Sequence, residues 1–151
     1  MHIGYDIDGV LSKKDPTHVS RLGVRFLLGI FNFFLPQVIR HWTLNRSLQI
    51  DIEIAREIAK KHKISIITAR PKEFYKYTEI WLRDIAKIDY DNLYCVGLKS
   101  NFEQRKLDIA KEINIELFLD DTDSTIELFK NNNINAYLFK SWQDIKNNLD
   151  L

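Results

Sequence analysis

Five short apolar runs alternate with segments whose apolar residues recur at helical spacing, and this alternation limits the fold more than any other feature of the chain. His2 to Ile7, Ile64 to Thr68, Leu93 to Val96, Leu117 to Leu119 and Ala136 to Phe139 each read as a strand. The Ile64–Thr68 run lacks polar alternation, as expected of a strand covered on both faces. Between the runs, Leu48, Ile52, Ala55 and Ala59 share one helical face, and Lys60, Lys61 and His62 follow where cations suit the helix dipole. Phe74, Tyr77, Trp81 and Ile85 repeat after Pro71, which is placed as a first-turn proline. Phe102, Ile109, Ala110 and Ile113 form another stripe. Ile126 and Phe129 follow the cap-rich Thr122-Asp123-Ser124, and Trp142 and Ile145 mark a short last helix. Strands and helices in strict alternation predict an α/β fold with a parallel sheet and helices on both faces. Ligands of such sheets bind at the carboxyl ends of the strands, so chemistry is sought there.

One segment interrupts the alternation. Residues 12–46 separate the first strand from the first regular amphipathic helix, far beyond a usual connection of roughly 2–6 residues. The segment is rich in Phe and Leu (Phe26, Leu27, Leu28, Phe31, Phe33, Phe34, Leu35) and reads as one or two helices broken near Pro36. The expected organisation is therefore a core of residues 1–11 and 47–151 with a small helical insert at 12–46. The apolar stretch from Phe26 to Ile39 is shorter than the roughly 20 residues of a spanning helix, contains Pro36 and is flanked by Arg21, Arg25 and Arg40. It is read as a buried or interfacial segment, and no transmembrane span is expected.

Composition narrows the function classes. A chain of 151 residues with 45% hydrophobic and 28% charged residues can build one packed domain and does not read as disordered. A net charge of +1 offers no basic excess, so no nucleic-acid polymer is expected as partner. The single cysteine, Cys95, excludes an internal disulfide and sits in an apolar run, which fits a buried core thiol. With an N-terminus lacking signal-peptide design, the expected compartment is the cytoplasm. His2, His18, His41 and His62 form no metal-site spacing.

The strand ends carry the chemistry. Asp6 and Asp8 close the first run and, two apart, would share one side of a strand. Two carboxylates held together call for a cation or a proton between them. Asp6 can attack phosphorus while Asp8 serves as general acid and then base; a solvated acidic turn is the plain alternative. Thr68 closes the second run just before a helix start near Pro71, a place suited to a phosphate oxygen, or simply to a turn threonine. Arg70 is either a phosphate or substrate contact or an exposed side chain. Lys106 falls in the arc of Phe102, Ile109, Ala110 and Ile113, and a lysine on a buried stripe needs an anionic partner. Lys99 in the preceding loop is its rival. Asp120 and Asp121 close the fourth run; as neighbours in a strand they would point to opposite faces, so Asp121 is favoured as a magnesium ligand, with Asp120 supporting it.

Tyr5-Asp6-Ile7-Asp8-Gly9-Val10-Leu11 resembles the first motif of the haloacid dehalogenase (HAD) superfamily, Ile66-Ile67-Thr68-Ala69-Arg70 the second, Lys106 the third and Phe118-Leu119-Asp120-Asp121-Thr122 the fourth. The resemblance implies a Rossmann-like three-layer sandwich, a Mg²⁺ cofactor and an aspartyl-phosphate intermediate. It makes Asp6 nucleophile and metal ligand. Asp8 becomes acid/base, with its backbone carbonyl toward the metal. Thr68, Ala69, Arg70 and Lys106 fall at the phosphate, and Asp121 and Asp120 at the metal. The insert falls where the family places a small cap, similar to that of the deoxyribonucleotidase-like branch. The acid at position 8 favours a phosphatase over a dehalogenase, and the order of threonine, lysine and paired aspartates counts against a two-component receiver domain.

The expected function is thus a Mg²⁺-dependent phosphomonoester hydrolase with a small-molecule substrate, a nucleotide being favoured. Two alternatives stay open: a non-catalytic phosphate- or metal-binding module that docks a partner or membrane through the Phe-rich insert, and a phosphoprotein phosphatase. A homodimer through the cap also stays open.

Overall fold

The computed structural model describes residues 1–14, 35–98 and 100–151. Five parallel strands form one sheet: β1 (His2–Tyr5), β2 (Lys63–Thr68), β3 (Asn92–Cys95), β4 (Leu117–Asp120) and β5 (Asn135–Leu138), in the order β3-β2-β1-β4-β5. β1 is central, with Tyr5 level with Ile66 on one side and Leu119 on the other. The helices are α1 (Leu35–Leu44), α2 (Ile52–Lys61), α3 (Tyr75–Ile80), α4 (Phe102–Glu112), α5 (Asp123–Asn131) and α6 (Trp142–Asn148).

The period of two along each strand divides the apolar residues between two faces. Ile3, Tyr5, Ile64, Ile66, Leu117 and Leu119 pack with Ile52, Ala55 and Ile58 of α2 and with Trp81, Trp142 and Ile145. Ile67 and Phe118 pack on the other face with Leu107 and Ala110 of α4 and Ile126 and Phe129 of α5. Helices on both faces of a parallel sheet make the α/β three-layer sandwich that the alternating pattern predicts. Gly4 belongs to the second face: a Cβ there would stand 2.4 Å from the Phe118 ring, so only glycine lets that ring lie across β1.

Two local expectations change. The first strand ends at Tyr5 and not at Ile7, because the backbone N–H groups of Val10, Leu11 and Ser12 all converge on the Ile7 carbonyl, at 3.2, 2.9 and 2.9 Å, and curl the chain away from the sheet. The Phe74–Ile85 stripe is not one uniform helix. It begins as a 3-10 turn over Lys72–Phe74, continues as α3 and widens into a π-helical turn over Trp81–Ala86, which seats the fully buried Trp81. Pro36 lies in the first turn of α1, where its missing N–H costs nothing, and any helix before Leu35 falls outside the described residues. The remainder of the proposed cap, including Phe26, Phe31, Phe33 and Phe34, lies outside the described residues, as does Lys99. Among the described residues no helix is long and apolar enough to cross a membrane.

Candidate active site

The carboxyl ends of β1 and β4 are neighbours in a parallel sheet, so whatever follows Tyr5 meets whatever ends β4. Asp6 follows Tyr5 and keeps one ladder bond, its N–H donating to the Leu119 carbonyl at 3.0 Å. Asp120 ends β4, fully buried, and Asp121 begins the bend into α5. Carboxylate oxygens of Asp6, Asp120 and Asp121 lie within 4.8 Å of one another. Both neighbours of the acidic pair therefore reach Asp6, against the expectation that only one would. The reason is that strand geometry stops at Asp120, where the Thr122 N–H donates to Asp120 Oδ1 at 2.9 Å and turns the chain.

Lys106 enters this group from α4. Its ammonium is buried, 2.8 Å from Asp120 Oδ2 and 3.1 Å from Asp6 Oδ1. Burial opposes the charge on Lys106, but Asp6 and Asp120 more than offset it and hold the lysine firmly protonated. Asp6 is also shifted upward, which for a carboxyl favours the neutral form. Burial raises its proton affinity, Lys106 opposes this, and the charges of Asp120 and Asp8 add to the rise. A buried carboxylate raised by its acidic neighbours is short of positive charge. Lys14 supplies some, its ammonium 2.6 Å from Asp121 Oδ2 on the solvent side. Three hard oxygen donors converging at a site with surplus negative charge fit Mg²⁺, which takes carboxylates and retains water. Asp6, Asp120 and Asp121 are the side chains that would hold it.

Asp8 faces different company. The chain curls at Ile7, so its carboxylate does not join the acidic group. Arg70 grips both of its oxygens, Nε to Oδ2 at 2.9 Å and an NH2 group to Oδ1 at 2.8 Å. Arg46 donates to Oδ1 at 2.8 Å and Ser12 Oγ at 3.1 Å. Burial would raise the Asp8 pKa, but the two guanidinium groups and Ser12 override it and hold the carboxyl well below the usual carboxylate range.

Thr68 ends β2 beside β1, buried, its Oγ1 accepting a long bond of 3.4 Å from the Arg70 N–H. Ala69 follows in the turn toward Pro71. Arg70 is not the exposed side chain of the plain alternative: it is buried with its donors on Asp8 and, at 3.3 Å, on Thr78 Oγ1. Its surroundings give the reason: a buried guanidinium needs an anionic partner, and Asp8 is beside it. Sequence reasoning passed over Arg46, Ser12 and Lys14. Arg46 is 38 positions from Asp8 in no motif, so only the fold reveals it. Ser12 lies four residues after Asp8, a spacing that could have suggested it.

No family model matches the chain. Its structure is similar over almost its whole length to a hydrolase from Streptococcus pneumoniae, with a TM-score of 0.64, 12% identity and coverage of 99% of this chain and 98% of that one. It is also similar to a HAD family enzyme from Bacteroides thetaiotaomicron, a variant of which is complexed with magnesium and inorganic phosphate (TM-score 0.58, 11% identity, covering 93% of this chain and 94% of that one). The chain has the fold of the HAD hydrolases. In sequence it is 31% identical over 87 residues to a Bacillus cereus protein named "Putative nucleotidase", a match covering 57% of this chain and 44% of that protein. The chain thus spans less than half the length of this curated relative.

Proposed function

We propose that the chain is a Mg²⁺-dependent phosphomonoester hydrolase in which Asp6 is the nucleophile. The observation that carries this reading is the convergence of Asp6, Asp120 and Asp121 within 4.8 Å at the carboxyl edge of the sheet, with the Lys106 ammonium against two of them. When bound, Mg²⁺ cancels the repulsion between Asp6 and a phosphate oxygen and aligns the two for in-line attack. Asp6 attacks phosphorus and becomes an aspartyl phosphate as the alkoxide leaves. Lys106 offsets negative charge at the phosphoryl oxygens, and Thr68, at the end of the adjacent strand, offers a hydroxyl to the same group. Asp8 handles the proton. It is ionised while held by Arg46 and Arg70, and a phosphate arriving beside it raises its proton affinity, since a second anion disfavours the first. Protonated, it delivers the proton to the leaving oxygen; ionised again, it takes one from the water that cleaves the acyl phosphate.

A small-molecule ester is favoured as substrate, and the name of the Bacillus cereus relative supports a nucleotide. We read residues 12–46, of which α1 is the described helix, as a small cap insert. The test is hydrolysis of a panel of nucleotides, sugar phosphates and p-nitrophenyl phosphate with Mg²⁺ and with EDTA. The reading requires turnover that EDTA abolishes and that Asp6→Asn removes in a folded protein. Activity indifferent to both would end it.

A further inference from the structure

Arg46 stands at the base of the insert, where the chain leaves the core and returns to it. The two limbs are tied together there: the Lys13 N–H donates to the Ser47 carbonyl at 3.0 Å, the Gln49 N–H to the Leu11 carbonyl at 2.9 Å, and Ser12 and Leu48 form an antiparallel bridge. The Arg46 carbonyl accepts from Nε1 of the buried Trp81 at 3.1 Å, which anchors its backbone to the core. The buried side chain turns inward. One NH2 group donates both to Asp8 Oδ1 at 2.8 Å and to the Lys13 carbonyl at 3.1 Å, and the guanidinium lies 4.8 Å from the centroid of the Trp42 ring on α1. A single side chain thus touches Asp8, the outgoing limb of the insert and the helix of its returning limb.

Arg70 fixes the plane of the Asp8 carboxylate by gripping both oxygens, with a further hydrogen bond to Thr78 Oγ1 of α3 and its guanidinium 5.5 Å from the Trp42 centroid. Arg46 meets Oδ1 from the insert side, so a shift of the insert relative to the sheet is felt at Asp8 through Arg46. We propose that Arg46 is a positioning residue that transmits the placement of the insert to Asp8 and holds that carboxylate in register for leaving-group proton transfer. The proposal rests on the phosphohydrolase reading above, in which Asp8 handles that proton.

The test compares two esters with the full chain and saturating Mg²⁺. An aryl ester, p-nitrophenyl phosphate, departs with little need of a proton, whereas an alkyl ester such as glycerol phosphate depends on one. Arg46→Ala lowers the ratio of alkyl to aryl kcat by about tenfold, a partial loss of the roughly 10²–10⁴-fold that a positioned proton donor supplies, with KM for both esters close to the wild-type value. Arg46→Lys, which keeps a cation within reach of Oδ1, recovers part of the ratio. Thermal unfolding checks each variant; if Arg46→Ala does not fold, Arg46→Gln carries the same comparison. Equal losses on the two esters, or an unchanged ratio, overturn the positioning role while leaving the phosphohydrolase reading intact. Absence of Mg²⁺-dependent turnover in the wild-type chain overturns both.

Discussion

Gly9 and Asp121 meet with no room for a side chain between them: a Cβ on Gly9 would stand 2.0 Å from Asp121 Oδ2. The same glycine has φ +106°, a backbone conformation that side chains oppose. Gly9→Ala therefore meets two penalties, strain of roughly 1–3 kcal/mol at the backbone and displacement of a carboxylate assigned to the metal. The expected outcome is a folded, destabilised protein whose Mg²⁺ affinity falls together with its activity. Calorimetric Mg²⁺ titration of the variant checks it, and unchanged affinity would separate the turn from the metal site.

Lys106 is the buried cation between Asp6 and Asp120, at 3.1 and 2.8 Å. Removing one partner of a buried ion pair typically costs about 3–5 kcal/mol because the other charge is left uncompensated. Lys106→Met is expected to destabilise by that order and to abolish turnover. Adding Asp120→Asn to it should return part of the stability without returning activity, since the double variant buries less unpaired charge. Urea denaturation of the three proteins is the measurement. A double variant no more stable than Lys106→Met would mean that the lysine acts through packing alone.

The division between what could and could not be read from the sequence follows from the range of the interactions involved. Runs such as Ile64–Thr68 and stripes such as Ile52, Ala55 and Ala59 are local patterns, and strand–helix alternation then leaves few topologies, so the parallel sheet was legible. The inward Lys106 was legible too, because its helical arc is occupied by apolar residues. The Asp8 clamp was not. It joins residues 12, 46 and 70, and only the curl at Ile7 turns Asp8 away from Asp6 and toward them. The rule that neighbouring residues face opposite sides misjudged Asp120 and Asp121 because it holds within a strand, and the strand stops between them.

Mg²⁺ binding should be visible without any substrate. Asp6, Asp120 and Asp121 come together only in the folded chain, so the ion binds the native state and stabilises it by mass action, about 2.7 kcal/mol at 100 times Kd. For a chain of this size that corresponds to a rise in Tm of several degrees, at roughly 2–4 °C per kcal/mol. Asp121→Asn removes one charged donor, and its Tm is expected to respond to Mg²⁺ only at much higher concentration. Differential scanning fluorimetry against MgCl₂, with KCl at matched ionic strength, checks this. An identical response of wild type and variant would remove Asp121 from the ligand set.

The pH dependence of stability has a contribution far from the site. His2 is buried on β1, its Nε2 2.8 Å from Ser65 Oγ on β2. Burial lowers its pKa and the charge of Lys63 lowers it further, against smaller opposing effects from the Ile113 backbone, Asp91 and Glu116. The unfolded chain therefore takes up this proton at a higher pH than the folded one. Stability from His2 is fully present above its ordinary pKa of 6.5 and is lost as pH falls from there toward the lower folded value. Asp6 acts in the opposite sense, because its raised pKa makes the folded chain hold a proton that the unfolded chain releases, so its contribution fades as pH rises. The wild-type curve mixes the two, and the difference between wild type and His2→Asn isolates the histidine. That difference should shrink on going from pH 7.5 to pH 5.5 in urea denaturation with EDTA present. A difference that stayed constant, or grew toward acid pH, would show that His2 is as easily protonated in the folded chain as in the unfolded one.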